Sequence, residues 1–235
     1  MLSFGMTSCG GDDEGGNDNG GNTSSKRIVK MVEEDGDYVS TFAYDSKGRV
    51  VRVVQTEYYS QGSSVSELSY QYSEMQIVSN EEDGSWSCTH TYTLSNGLIV
   101  KDVEEQFNNG RRVDKMTTNY TYDSDGYMTS LTQKGDGYSD TLDLVWTDGN
   151  LMSLARHSYS YSNIPWCKGM FFYFKGGGMD PYLWPAGFWG KSPKNMPSKD
   201  SVNDVIYEYS LSSGLIVEKR IIEGSYVSIS SYVWE

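Results

Sequence analysis

The residues that could carry acid–base, nucleophilic or metal chemistry are few. The chain holds two histidines, His90 and His157, and three cysteines, Cys9, Cys88 and Cys167. A histidine-based metal site would need both histidines together with carboxylates. His90 lies in SWSCTHTYT, where period-two alternation puts Trp86, Cys88, His90 and Tyr92 on one strand face and Ser87, Thr89, Thr91 and Thr93 on the other. A histidine among such neighbours reads as a buried, hydrogen-bonded core residue before it reads as a ligand. Glu104 and Glu105 point to opposite faces of a strand, the wrong arrangement for shared acid–base work. Asp123, Ser124, Asp125 and Gly126 look like the opening of a calcium loop, but the rest of the ligand run is missing and a turn accounts for them. Asp140 stands alone on an otherwise apolar face, either a perturbed carboxylate or the wetted end of a strand. No G-x-S-x-G, H-E-x-x-H, phosphate loop or paired C-x-x-C occurs. The expectation is no catalytic residue, no metal site and no cofactor.

Composition narrows the classes further. The net charge of −13 works against nucleic acid and against an anionic membrane face, both of which need a basic patch. Aromatic residues make up 14% of the chain, 19 of them Tyr, which is unlike a disordered protein. No apolar run approaches the roughly 18 residues of a membrane-spanning helix.

What must position these residues is a sheet. YDSKGRVVRV, starting at Tyr44, returns as YDSDGYMTSL from Tyr122. Asp-x-x-Gly fits a tight hairpin turn, with Asp capping through its side chain and Gly taking the positive φ. The same slot recurs at Gly97, Gly149 and Gly214, and a second turn class falls between at Gly36, Gly62, Gly84, Gly110, Gly137 and Gly224. Turns roughly 10 to 16 residues apart leave strands of about eight or nine. The reading is an all-β, antiparallel up-and-down meander, curled into an open or closed barrel-like sheet as one domain over 26–235. YSDTLDLVWT and KMTTNYTYD repeat the alternation, with aromatic and aliphatic residues on one face and Ser, Thr, Asn and Asp on the other. A membrane barrel needs an apolar outer band; here the polar face is the outer one, so the sheet reads as soluble with its aromatic side inward.

Residues 163–204 break this rhythm. All five prolines lie there, with Trp166, Phe171, Phe172, Tyr173, Phe174, Tyr182, Trp184, Phe188 and Trp189. So many rings do not stay in water, each burying on the order of 150–250 Å² when packed. The insert reads as a plug or lid inside the curl, with a short helix around 169–175. Rings left exposed among Trp166, Tyr182, Trp184, Phe188 and Trp189 are candidates to stack on sugars or hold an apolar ligand; the competing reading makes most of them plug core.

The first 25 residues differ in kind. Met6, Thr7, Ser8 and Cys9 resemble a bacterial lipobox, in which the cysteine is lipidated, and Asp12, Asp13 and Glu14 resemble the export signal of Bacteroidetes surface lipoproteins. Only eight residues precede Cys9 and none is basic, so the stretch reads as a signal remnant followed by a flexible Gly/Asn/Asp/Ser tether. GFWGKSPKNMP from Gly187, followed by LSSGLIVEK and a terminal YVWE, is similar to a Bacteroidetes lipoprotein family of unknown function with a porin-like fold. That resemblance implies a small barrel and an outer-membrane, lipid-anchored, surface-exposed location. It brings no catalytic residues.

Three function classes follow: a non-catalytic binder of a glycan, peptide or small apolar ligand, a structural or assembly component of the envelope, and a hydrolytic enzyme. The first is favoured. The second would show an exposed edge strand or apolar patch, and the third lacks a nucleophile–base–orienter set. The partners expected are a membrane through the lipid anchor only, no nucleic acid, and an unidentified ligand, with the chain a monomer. With Cys9 taken for lipid, an oxidising compartment would leave Cys88 and Cys167 as a possible disulfide, against the alternative that both are simply buried.

Overall fold

The computed structural model describes residues 26–235 apart from 34, 35, 176 and 177. The expected signal remnant and tether lie outside the described residues. The first eight strands are β1 Ile28–Glu33, β2 Tyr38–Tyr44, β3 Val50–Tyr59, β4 Gly62–Tyr72, β5 Gln76–Asp83, β6 Trp86–Ser95, β7 Leu98–Asn108 and β8 Arg111–Tyr122. The second eight are β9 Met128–Gly135, β10 Tyr138–Thr147, β11 Asn150–Leu154, β12 His157–Pro165, β13 Asn195–Asp200, β14 Val205–Ser212, β15 Leu215–Glu223 and β16 Tyr226–Trp234. Each strand pairs antiparallel with its sequence neighbours, and β1 also pairs with β16, closing a sixteen-stranded barrel. Closure removes the unpaired edges that an open sheet would leave to other chains.

The repeated Tyr-Asp-x-x-Gly unit builds one end of the barrel. Asp123 Oδ1 accepts from the backbone N–H of Asp125 and Tyr127, and Gly126, at φ 86°, completes the turn. Asp45 does the same for Lys47 and Arg49. A β-bulge falls at most of these turns, for instance at Thr121/Tyr122 and Ala43/Tyr44, and it turns the last aromatic of the strand inward. That aromatic then donates to a carbonyl near the start of the preceding strand. Tyr44 bonds Ile28 O, Tyr72 bonds Val50 O, Tyr122 bonds Ile99 O, Tyr161 bonds Leu151 O and Tyr209 bonds Pro197 O. Trp146 and Trp234 do the same through Nε1, to Met128 O and Ile216 O. The tyrosines of the repeat are therefore cross-braces, satisfying carbonyls that the bulged ladder leaves open.

Residues 166–175 and 178–194 pack against this same end. Phe171 meets Phe42 on β2, Trp189 meets Tyr92 on β6 and Tyr120 on β8, Phe174 meets Tyr159 on β12, and Phe172 meets Tyr207 on β14. Trp189, Phe174 and Met170 are fully buried. The segment is tied to the turns by its backbone: Ile99 N donates to Phe188 O, Lys191 N to Gly126 O and Lys194 N to Gly149 O. A Cβ on Gly190 (φ 80°) would stand 2.3 Å from Gly126 O, so only glycine permits this docking. The expected helix around 169–175 does not form. After one turn closed by Met170 N to Cys167 O the chain is irregular, because Met170, Phe171, Phe172 and Phe174 are all buried, on no single helical face. Helical turns lie instead at Pro181–Leu183, a 3-10 turn capped by Asp180 Oδ1 on Tyr182 N, and at Val202–Asp204.

Candidate functional site

Away from the insert the lumen wall changes character, and the β6–β7 hairpin shows how. Asn96 and Gly97 take positive φ, and a bulge at Thr93/Leu94 sets the register. Cys88 then faces Gln106, His90 faces Glu104 and Tyr92 faces Asp102. Alternation turns all of them toward the lumen. His90 donates from Nδ1 to Asp102 Oδ2 at 2.9 Å, and its Nε2 lies 3.5 Å from Cys88 Sγ. Cys88 Sγ is also 3.9 Å from Glu104 Oε1, which accepts a 2.6 Å bond from Gln106 Nε2. The His90 ring stacks on Tyr92 at 5.5 Å, with 5° between planes.

The electrostatics are those of a buried anionic cluster around one imidazole. Burial works against charge on His90, yet the hydrogen bonds and charges of Asp102 and Cys88 outweigh it and push its pKa up to about 11. Burial raises the pKa of Asp102, partly offset by His90, and likewise raises Glu81 and the half-buried Asp180. Asp180 receives a hydrogen bond from Tyr70 at 2.6 Å. Among the described residues, none of the ion pairs neutralises Glu81, Glu104 or Asp180.

Cys88, His90 and Asp102 stand in the order nucleophile, base, orienter, an arrangement that the sequence reading held to be missing. Acyl transfer is nonetheless poorly served. Cys88 is 3% exposed, and the Glu104 carboxylate beside its sulfur opposes a developing oxyanion where a donor would be required. The three ligand atoms of Cys88, His90 and Glu104, however, all lie within 4.8 Å of one another, close enough to share a cation.

Toward the rim a recess of about 290 Å³ is lined by Glu33, Tyr38, Ser40, Gln55, Glu57, Ser64, Ser66 and Asp83. It contains three carboxylates and no basic side chain. Tyr38 and Tyr59 both donate to Glu57, which draws its pKa down. A second recess of about 270 Å³ is bordered by Phe172, Tyr173, Tyr207 and Tyr226 with Lys175, Lys219 and Glu223. Tyr59, Tyr138 and Tyr226 are at least half exposed around this end.

The residues singled out from sequence fall in several places. Trp184 and Trp189 are buried, at 2% and 0% exposure, while Trp166, Tyr182 and Phe188 are half-buried and packed on the core. Tyr182 alone of these is reached from the polar wall, by Gln55 Nε2 at 3.4 Å. The Cys88–Cys167 disulfide does not form, since Cys88 is a free thiol. Cys88 lies near the rim end of β6, whereas Cys167 follows Pro165, which pairs with Asn195 beside the opposite turn. The two histidines are not brought together: His157, on β12, has its own buried partner in Asp200 at 2.8 Å. Asp140 is exposed and accepts from Thr141 N, so its wetted reading holds. Asp123 is a turn residue. Cys9 lies outside the described residues. Missed from sequence were Asp102, Gln106 and the alliance of Glu104 with His90. Folding the hairpin about Asn96–Gly97 would have paired them.

Comparison with known proteins agrees with this architecture. A crystal structure of a porin-like protein from Bacteroides uniformis superposes with a TM-score of 0.67 at 17% identity, covering 90% of this chain and 97% of the other. A porin-like protein from Bacteroides vulgatus gives 0.48 at 10% identity, covering 89% and 99%. Among curated proteins none matches the chain. The sequence profile of one family matches residues 42–213, more than half of the chain, which therefore belongs to the domain of unknown function (DUF4595) with porin-like fold.

Proposed function

We propose that this chain is an envelope lipoprotein of the binding class, held by lipid on Cys9, whose barrel takes a small polar, positively charged ligand of glycan or peptide type. The observation that carries the reading is the division of the lumen. One end is filled by the rings of the insert, and the other is an aromatic-rimmed recess walled by Glu33, Glu57 and Asp83. Tyrosine faces and carboxylates that no basic side chain of the recess neutralises suit an amine-bearing ligand, through stacking, cation–π contact and charge-assisted hydrogen bonds.

The outer face supports anchorage rather than immersion. It carries the Arg52–Glu67 and Arg220–Glu208 ion pairs, Glu105 with Arg112 and Lys115, and the Thr132–Thr141 contact. Charges on a lipid-facing strand cost about 2–4 kcal/mol each at the bilayer midplane for Arg or Lys. The lipobox-like Met6 to Cys9 and the acidic cluster behind it support the anchor, and the porin-like fold shared with the Bacteroides uniformis protein fits an envelope location. The strand order closes into a barrel, which disfavours an assembly role that would rest on a free edge strand.

Glycan and peptide arrays probed with the full chain test the reading. Cationic members should bind, and Glu57→Gln combined with Asp83→Asn should abolish that binding while the fold persists. Binders indifferent to this double change would sink the proposed recess. Labelling with a palmitate analogue that survives Cys9→Ser would sink the anchor.

A further inference from the structure

Cys88 Sγ, His90 Nε2 and a Glu104 oxygen converge on one point of the lumen wall. In a tetrahedral zinc site, bonds of about 2.3 Å to sulfur and about 2.0 Å to nitrogen hold the ligand atoms about 3.5 Å apart. Here Cys88 Sγ and His90 Nε2 are 3.5 Å apart, and Cys88 Sγ and Glu104 Oε1 are 3.9 Å apart. Three donors of different chemistry, drawn from two adjacent strands, thus converge, with the two distances from Cys88 Sγ near a tetrahedral edge and all three atoms within 4.8 Å of one another.

Their supports have the form of an outer coordination shell. Asp102 accepts the Nδ1 proton of His90, which fixes the ring and turns Nε2 to the cysteine, where a metal would displace the proton that Nε2 carries in the charged imidazole. Stacking on Tyr92 holds the ring plane. Gln106 grips Glu104 Oε1 and so restrains the third donor. Charge points the same way. Asp102 is 4% exposed, its Oδ1 is buried with no hydrogen-bond partner, and Glu81 stands opposite Cys88 across the β5–β6 ladder. His90 is the basic group paired within this cluster. One buried carboxylate and two half-buried ones around a single basic group favour a further cation.

We propose that Cys88, His90 and Glu104 form a three-ligand site for a borderline divalent transition metal, Zn²⁺ above all, with Asp102 as the positioning residue for His90. A thiolate with an imidazole selects against calcium and magnesium, which take oxygen ligands. Three protein ligands leave a fourth position open on the lumen side, as in zinc sites that bind an exchangeable group. The site does not depend on an organic ligand entering the recess, and neither Glu57 nor Asp83 belongs to it.

The test uses the full chain, reduced, stripped of metal with a chelator and dialysed against Zn²⁺, with Co²⁺ as a spectroscopic substitute. One zinc per chain is expected, and the cobalt form should show thiolate-to-metal charge transfer with the intense d–d bands of tetrahedral coordination. Cys88→Ser and Glu104→Gln should each weaken zinc binding by at least about 10-fold, and Asp102→Asn by about 10–100-fold with the cobalt band shape kept. Cys9→Ser and Cys167→Ser should bind as the parent does. Should Cys88→Ser fail to fold, zinc protection of Cys88 against alkylation in the parent protein, mapped by mass spectrometry, decides the matter. No zinc uptake, a weak octahedral cobalt spectrum, parent-like binding by folded Cys88→Ser, or alkylation of Cys88 that zinc leaves unchanged would each overturn the site; the last would favour the thiol-nucleophile reading of the same atoms.

Discussion

Along the inward face of β6, Tyr92 and Leu94 lie under the insert, while Cys88 and His90 meet Glu81, Glu104 and Gln106. The same strand, read with the same alternation, lines an apolar packed end and a polar rim end. The outward Thr89, Thr91 and Thr93 do not register the change. The contrast teaches that in this barrel inward position is set by the strand, whereas inward chemistry is set by what stands opposite. Where aromatic rings of the insert pack against the wall, it is Tyr, Leu, Ile and Met; beyond them, with Tyr182 meeting Gln55 at the boundary, it is carboxylate, amide and tyrosine. Stability should accordingly be concentrated at the insert end, and binding at the rim.

The largest effect that would sharpen this division is alkaline. Tyr70, Tyr92 and Tyr120 are buried at the insert end, and burial, with nearby carboxylates adding to it, raises each pKa well above the usual value of about 10. Above about pH 10 the unfolded chain releases tyrosine protons that the folded chain keeps. The folded state then binds more protons, so stability falls as pH rises. Stability contributed by these groups is fully present below pH 10 and is lost above it. Circular dichroism and tyrosinate absorbance should change together in one cooperative step; buried tyrosines ionising smoothly with the fold intact would break the assignment. Next in size is Trp189→Ala. Trp189 is fully buried between Tyr92 and Tyr120 and donates to Asp180 O at 2.8 Å. Its removal should cost about 3–5 kcal/mol in urea unfolding, whereas Tyr138→Ala, at the exposed rim, should leave the midpoint unchanged.

How far the sequence disclosed this molecule follows from the range of each signal. Period-two alternation and Asp-x-x-Gly turns are local, so the antiparallel meander and the aromatic inner face were legible from segments such as SWSCTHTYT and YDSDGYMTSL. Closure was left open between two forms, because the β1–β16 pairing joins the two ends of the domain and no local pattern encodes it. The helix expected at 169–175 was lost to burial of the Met170, Phe171, Phe172 and Phe174 side chains, which no single face can supply. His90 was rightly placed inward, but its partners were invisible without hairpin register. In sequence Glu104 stands beside Glu105 alone, whereas across the ladder its neighbour is His90.

Glycine substitutions compare the two ends at smaller scale. Gly190 and Gly110 have similar φ, 80° and 73°, but a Cβ on Gly190 meets Gly126 O and Tyr122, while one on Gly110 meets nothing within 4 Å. Gly110→Ala should cost only the backbone term of about 1–2 kcal/mol. Gly190→Ala should cost about 1–3 kcal/mol more, since the backbone it strikes belongs to a closed turn. Equal losses in thermal or urea unfolding would mean that the insert does not bear on the Asp123–Gly126 turn.

The smallest and most selective comparison removes one oxygen at each end. Tyr122→Phe deletes the hydroxyl that donates to Ile99 O at 2.8 Å beneath the insert. The carbonyl would then be left without that donor in a half-buried place, at a cost of about 1–2 kcal/mol. Tyr59→Phe deletes a hydroxyl that bonds Glu57 and Ser64 in the open at the rim. Water replaces it there at once, so the unfolding midpoint should not move. The effects reverse for binding. Tyr59→Phe frees one oxygen of Glu57 and loosens the carboxylate that faces the recess, so it should alter capture of a cationic ligand, while Tyr122→Phe should leave capture unchanged. A cross-effect in either direction, such as a Tyr59→Phe protein that unfolds early or a Tyr122→Phe protein that loses its ligand, would mean that insert and rim are one cooperative site and that the division of the lumen is only geometric.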